Sequence, residues 1–283
     1  MPELTTTDHR RDSANLQYVY PVMSRRAGGL SIGINLNTNN ACNWRCVYCQ
    51  GPGLVRGRPQ PVNRVLLRDE LTGLLRDCLD GSFFERYPVE PTQRVIRDIA
   101  LSGNGEPTLA PEFAAVITDI GQVTAALGLP ASVRRVLITN GSGVGRTAVR
   151  HGLSELARQG GEVWFKLDSA TPQGIRRINQ VHLTVDTLLR RLDGVTRLCG
   201  TYLQTCLFGF DDDRVDEVEW QAYLDFLDEL RHRDIPLKGV LLYGLARPSQ
   251  QPESIHLRRL SRPVIDGLAD AVRARGYTVR AAW

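Results

Sequence analysis

The sequence predicts an α/β chain, a partial parallel β/α barrel of about six strands. Short apolar runs with strand character alternate with segments of helical periodicity, an order that implies parallel strands joined by crossover helices. The connections are short, and neither an internal repeat nor a low-complexity tract marks a second domain. A chain of 283 residues buries a sizeable core and has an ordinary length for one barrel.

The elements follow in order. Tyr18 to Met23, a turn around Arg26-Ala27-Gly28-Gly29, and Leu30 to Leu36 form a hairpin whose second arm is the first barrel strand. Leu67, Leu71, Leu74, Leu75 and Cys78 recur at helical spacing, and Gly81 ends that helix. Asp98–Ser102 is the next strand, followed by a helix with Phe113, Val116, Ile117, Ile120 and Leu127 on one face. Val136–Thr139 is a strand, and Val149, Leu153 and Leu156 mark a helix. The alternation continues with strand Glu162–Asp168, a helix at Leu188, Leu189 and Leu192, and strand Thr201–Phe208. Trp220, Tyr223, Leu224 and Leu227 line another helix, before strand Val240–Gly244. Ser261 and Pro263 start a last helix, Gly276 stops it, and Tyr277–Ala281 is a closing strand. Residues 1–29 thus read as an N-terminal lead with a hairpin arm and 30–246 as the barrel. Residues 247–283 read as a C-terminal extension of the same domain.

Composition narrows the class. Lys+Arg 35 against Asp+Glu 31 gives a net charge of +4, too mild to argue nucleic-acid binding by itself. The opening MPELTTTDHR has no apolar signal core, and no run approaches about 18 apolar residues. The expectation is a cytoplasmic protein with no membrane association. Its six cysteines then suggest reduced thiols or a metal site rather than disulfides.

Three of these cysteines stand together as Cys42-Asn-Trp-Arg-Cys46-Val-Tyr-Cys49. A zinc site takes four ligands, and no neighbouring Cys or His pair supplies the fourth. Thiolates also favour iron–sulfur clusters and Cu(I). On a four-iron cluster three thiolates leave one iron without a protein ligand. The competing readings are a degenerate zinc knuckle or three unrelated core cysteines.

In a parallel barrel the chemistry collects where the strands end. After the second barrel strand comes Ser102-Gly103-Asn104-Gly105-Glu106-Pro107, where two glycines permit close backbone approach and Glu106 offers a carboxylate to an ammonium group. The third strand runs into Asn140-Gly141, a turn at the barrel mouth. Trp164, Lys166 and Asp168 share one face of the fourth strand. A charged pair there is expensive unless paired or used. Lys166 either pairs with Asp168 or acts on a substrate carbonyl as an amine of lowered pKa. Gln204 is the amide in an otherwise apolar fifth strand.

The cysteine spacing, with the aromatic Tyr48 before the last thiol, resembles the radical S-adenosylmethionine (SAM) superfamily. Ser102–Glu106 resembles that superfamily's Gly-Gly-Glu segment, here with Asn104 between the glycines. Gly29–Leu36, the cysteine loop, Leu101–Leu109, Lys166-Leu167-Asp168 and Leu242–Pro248 look like the group allied to wybutosine-synthesising enzymes, over most of residues 18 to 250. The resemblance implies a partial barrel of the radical SAM type with a [4Fe–4S] cluster on Cys42, Cys46 and Cys49. It implies SAM bound through Tyr48, Ser102, Gly103, Asn104, Gly105, Glu106, Asn140, Asp168 and Gln204, with Asp168 at the ribose. It also implies reductive cleavage of SAM and hydrogen abstraction by a 5′-deoxyadenosyl radical, from a small molecule or an RNA base. Lys166 is the catalytic candidate. No cysteine precedes Cys42, so the second cluster of the wybutosine type lacks ligands. An external electron donor of flavodoxin or ferredoxin type is implied, and no obligate protein partner is evident. An activating protein for a glycyl-radical enzyme and a non-catalytic iron–sulfur protein are the alternatives.

Other residues read plainly. Cys78, Cys199 and Cys206 are core thiols. His9, His151, His182, His232 and His256 are scattered, and Lys238 is solvated. Asp211-Asp212-Asp213 reads as a helix start rather than a metal tract. Arg247, Arg258, Arg259 and Arg262 form a basic cluster, either solvated or contacting phosphate. Trp44 and Tyr48 are placed to shield a cluster or stack on adenine.

Overall fold

The computed structural model describes Leu4, residues 14–24 and residues 28–283; Arg26, Ala27 and His9 lie outside them. Eight strands form one curled sheet whose spatial order follows the chain: β1 (Val19–Ser24), β2 (Gly29–Ile34), β3 (Ile96–Leu101), β4 (Arg134–Thr139), β5 (Glu162–Lys166), β6 (Thr201–Leu207), β7 (Gly239–Gly244) and β8 (Val279–Ala282). Strands β2 to β7 are the expected six parallel strands. The hairpin arm β1 adds one antiparallel edge, with Val19 opposite Ile34, and β8 adds a parallel edge, with Val240 opposite Val279.

Among the described residues, seven helices of eight residues or more connect or flank the strands: α1 (Arg64–Asp80), α2 (Phe113–Ala126), α3 (Thr147–Arg158), α4 (Pro172–Asn179), α5 (Val185–Thr196), α6 (Glu217–His232) and α7 (Arg262–Arg273). Their starts and stops are local chemistry. Asn63 caps α1 by accepting from the Leu66 N–H at 3.1 Å, and Gly81 ends it at φ +90°, where a Cβ would strain the chain. The apolar spacing seen in the sequence puts Leu67, Leu71, Leu74, Leu75 and Cys78 on the buried side of α1. Between helices and sheet lies the main core, with Phe83, Phe113 and Phe165 among its fully buried side chains. Each such side chain contributes about 1.5–3 kcal/mol through burial.

Two local readings differ from the structure. Helix α4 has only Ile175 and Ile178 as large apolar residues, too few to show a periodicity. Its start is nevertheless written in Thr171-Pro172: Thr171 Oγ1 accepts from the Gly174 N–H at 2.9 Å, and proline fills the first helical position. The Asp211–Asp213 tract is not the start of α6. Asp216 is the cap, accepting from the Val218 and Glu219 N–H groups at 3.1 and 3.2 Å. Asp211 instead sits at φ +65° against His256 Nδ1 at 2.6 Å, and Asp212 accepts from the Arg214 N–H at 3.1 Å.

Candidate functional site

Strand alternation sends every second side chain into the lumen, and register sorts them into tilted tiers. Near the strand starts, Ser31 donates to Asp98, Arg134 reaches Asp98 at 3.3 Å, and Lys238 reaches Glu162 at 3.4 Å. Lys238 is therefore half-exposed and paired rather than simply solvated. Above lies an apolar tier of Ala100, Val136, Trp164, Tyr202 and Leu241. Ser102, Asn140, Lys166, Gln204 and Tyr243 follow at the strand ends, around a cavity of about 240 Å³ that Cys42, Cys46 and Cys49 also line.

The cysteine loop crosses the mouth and is tied down on two sides. Arg45 and Val47 donate backbone N–H bonds to Asn179 O at 3.2 Å and Ile178 O at 2.8 Å, at the end of α4. Opposite, Ser249 Oγ donates to Val47 O at 2.6 Å, and the Gln250 N–H donates to Cys49 O at 2.9 Å. Trp44, Val47 and Tyr48 pack below the loop with Cys206, Phe208 and Leu245. Each of the three sulfurs accepts an N–H: Cys42 from Trp44 N at 3.4 Å, Cys49 from Gly51 N at 3.4 Å, and Cys46 from Asn179 Nδ2 at 3.3 Å. Burial pushes the free Cys42 thiol up to about 11 and the Cys46 thiol up to about 12, so a bound cation is what would displace their protons to solvent. Among the described residues no three His, Cys, Asp or Glu side chains gather around one point as ligands of a single ion. Thiolates that each take a different iron of a cluster have no need to.

The Ser102–Glu106 segment packs into this loop. Asn35 Oδ1 accepts the N–H groups of Asn37 at 3.0 Å and Asn104 at 3.2 Å. Gly103 has φ +148°, and a Cβ there would stand 2.4 Å from Asn35 Oδ1. A Cβ on Gly105 would stand 2.2 Å from the Ala41 carbonyl oxygen. Both glycines are thus required by the protein's own packing, a different reason from the close ligand approach read in the sequence. Ser102 Oγ pairs with the Tyr20 hydroxyl at 2.9 Å. Glu106, 2% exposed, accepts from Thr108 N, Thr108 Oγ1, Thr139 Oγ1 and Asn140 N at 2.5 to 3.1 Å. Its carboxylate holds the ends of β3 and β4 together before any ligand arrives. The Asn140 side chain is also engaged, donating to Asn43 Oδ1 at 3.0 Å and accepting from Ser142 N at 2.9 Å.

Two amide atoms of the lumen stand out. Asn104 Oδ1 and Gln204 Nε2 are buried on the cavity wall, and neither has a hydrogen-bond partner. Unsatisfied buried polar atoms are costly, and a bound molecule would supply what they lack.

Lys166 and Asp168 do not meet the cavity in the same way. Lys166 lines it; Asp168, with 0% side-chain exposure, lies outside its walls. The carboxylate accepts from Tyr48 Oη at 2.6 Å, Asn179 Nδ2 at 2.7 Å and Cys206 N at 3.3 Å, while Lys166 donates to Tyr48 Oη. The expected ribose contact therefore finds Asp168 already filled by protein donors. Burial pulls the Lys166 ammonium down, but Asp168, Tyr243, Cys46 and Cys206 outweigh it and hold the group above the usual lysine range. Of the two roles read for Lys166, the geometry shows the pairing with Asp168, 4.0 Å away and bridged by the Tyr48 hydroxyl.

Sequence reading missed Asn179, Tyr243 and the lumen position of Cys206. Cys206 was legible as two residues beyond Gln204 on the same strand face. Asn179 was not, because it meets Cys46 only through tertiary packing. Cys78 and Cys199 are buried thiols of the main core. The arginine cluster is dispersed onto protein partners: Arg247 donates to Gln50, Arg258 to Ile255 O, Arg259 to Ala246 O and Arg262 to Asp266. Of these four, Arg247 lines the cavity.

The fold is the partial barrel of radical SAM enzymes. It superposes on a radical SAM methyltransferase from Sphaerobacter thermophilus with a TM-score of 0.63 and 15% identity, over 93% of this chain and 69% of that one. HydG, a maturase of the [FeFe]-hydrogenase, matches with a TM-score of 0.56 and 13% identity, over 85% of this chain and 48% of its own. Archaeal TYW1 matches at 0.42 and 13% identity, over 82% and 70%, too distant to single out the wybutosine group. No protein-family profile matches. A stretch of 122 residues is 29% identical to the GTPase Obg of Brachyspira hyodysenteriae (strain ATCC 49526 / WA1), 43% of this chain but 15% of that protein. The superpositions on the methyltransferase and HydG establish a shared fold, and activity must be argued from the site.

Proposed function

We propose that this chain is a radical SAM enzyme, holding a [4Fe–4S] cluster on Cys42, Cys46 and Cys49 with S-adenosylmethionine beside it in the lumen. The observation that carries the reading is one cavity walled by three thiols and by two unpartnered buried atoms, Asn104 Oδ1 and Gln204 Nε2. When bound, cluster and SAM supply reductive cleavage and a 5′-deoxyadenosyl radical that takes a substrate hydrogen.

The chain's own groups bind and orient. Asn104 Oδ1, two residues before Glu106 in sequence, is an acceptor for the ammonium group of SAM. Gln204 Nε2 donates to an oxygen or nitrogen acceptor of the bound molecule. Ser102, Gly103, Gly105 and Asn140 shape the wall, Trp44 and Tyr48 shield the cluster loop, and the apolar tier around Trp164 excludes water from below. Lys166 lies beside Gln204 across β5 and β6 and presents positive charge to the substrate, a small molecule or an RNA base. The reductant is a separate protein of flavodoxin or ferredoxin type. A non-catalytic iron–sulfur protein would leave both amide atoms without a purpose.

The test is anaerobic reconstitution with iron and sulfide, then dithionite and SAM, following 5′-deoxyadenosine by chromatography. The expected result is 5′-deoxyadenosine from the native chain and none from Cys46→Ala. Equal yield from both would overturn the assignment.

A further inference from the structure

A chain of hydrogen bonds runs behind the cavity, and its direction is fixed at every link. The buried Asp168 carboxylate can only accept. Tyr48 therefore gives its one hydroxyl hydrogen to Asp168 Oδ2 at 2.6 Å, while Lys166 donates into the Tyr48 oxygen. Asn179 is 1% exposed, and its Nδ2 must also face Oδ2, at 2.7 Å. The remaining hydrogen on that nitrogen points to Cys46 Sγ, 3.3 Å away. Without Asp168 the amide could as readily turn its oxygen toward the sulfur.

We infer that Asn179 is a positioning residue that tunes the reduction potential of the cluster, with Asp168 aiming it. This rests on the radical SAM reading. Reduction adds negative charge that spreads onto the thiolate sulfurs, and an N–H dipole pointed at a sulfur stabilises the reduced form. The N–H groups on Cys42 and Cys49 come from the backbone of Trp44 and Gly51. Asn179 supplies the corresponding bond on Cys46 from a side chain, so substitution removes it, together with one donor to Asp168, and leaves the N–H bonds on the other two sulfurs in place. Asn179 stands at the last position of α4, where the Arg45 N–H also anchors the loop to its carbonyl at 3.2 Å. Changing the side chain leaves that backbone bond in place.

The native chain, Asn179→Leu and Asn179→Ala would be reconstituted anaerobically and assayed for iron and sulfide. Their potentials would then be read by electron paramagnetic resonance during a redox titration without SAM. Both variants should keep the cluster, shift to a more negative potential, and lose one exchangeable proton coupling in electron–nuclear double resonance. Native potentials and couplings in a loaded variant would overturn the inference. Loss of the cluster from both variants would make Asn179 structural and overturn it equally. Should the native chain itself assemble no cluster, the radical SAM reading falls, and this inference with it.

Discussion

The Glu106 carboxylate accepts the backbone N–H of Asn140 at 2.7 Å, joining the loops that follow two adjacent parallel strands. With Thr108 and Thr139 on its other oxygen, this acidic side chain is part of the frame of the barrel mouth. Any loss of the proposed SAM binding on its removal would thus begin as a loss of structure.

Glu106→Ala leaves two buried N–H groups and two hydroxyls without their acceptor. An unsatisfied buried donor costs about 1–3 kcal/mol, and rotating hydroxyls escape part of that. The apo protein should lose about 2 kcal/mol or more in urea denaturation, with Glu106→Gln losing less. Unchanged stability alongside weaker SAM binding would return Glu106 to a pure ligand role.

Gly105→Ala should damage the cluster loop more than Gly103→Ala. The new methyl at 105 meets the Ala41 carbonyl, a backbone atom next to Cys42, whereas that at 103 meets the Asn35 side chain. Overpacking of this kind costs about 1–3 kcal/mol, and only at 105 does it push the residue beside Cys42, a proposed cluster ligand. Iron retained per chain after reconstitution checks the order; the reverse order would contradict it.

Lys166→Met removes the cation and leaves the buried Asp168 carboxylate uncompensated, a change that costs about 3–5 kcal/mol. The double variant Lys166→Met/Asp168→Asn should recover a large part of that loss in a thermal-melt cycle. Borohydride trapping with a small keto acid at neutral pH should give no adduct on Lys166, because the nitrogen is held protonated. An adduct there would reinstate amine chemistry.

Alkaline pH should destabilise the apo protein through its core thiols. Burial pushes Cys78 from 9.0 up to about 12 and Cys199 up to about 11. A folded-state pKa above the unfolded one gives stability that is complete below pH 9 and lost as pH rises toward 11–12. Tm should therefore fall from pH 9 upward, and less steeply in Cys78→Ala. Parallel pH profiles for the two proteins would contradict this cause.

The sequence by itself determined the alternation of strand and helix, the six central parallel strands, and the thiols of Cys42, Cys46 and Cys49 at the end of β2. These follow from apolar periodicity and from spacing along the chain, which are local. It also placed Lys166 and Gln204 on lumen faces, because alternation within a strand is local too. Tertiary structure decided what each polar group does once there. Glycines 103 and 105 answer to Asn35 and Ala41, Glu106 to Asn140, and Asp168 to Tyr48 and Asn179, partners that no local pattern links to them. Asn179 lies 133 residues from Cys46, and only the curl of the sheet brings the end of α4 under the cysteine loop. Burial then turns the arrangement into chemistry, since away from water donors and acceptors need partners, and Asn104 Oδ1 and Gln204 Nε2, unpartnered on the cavity wall, are the proposed contacts to a ligand.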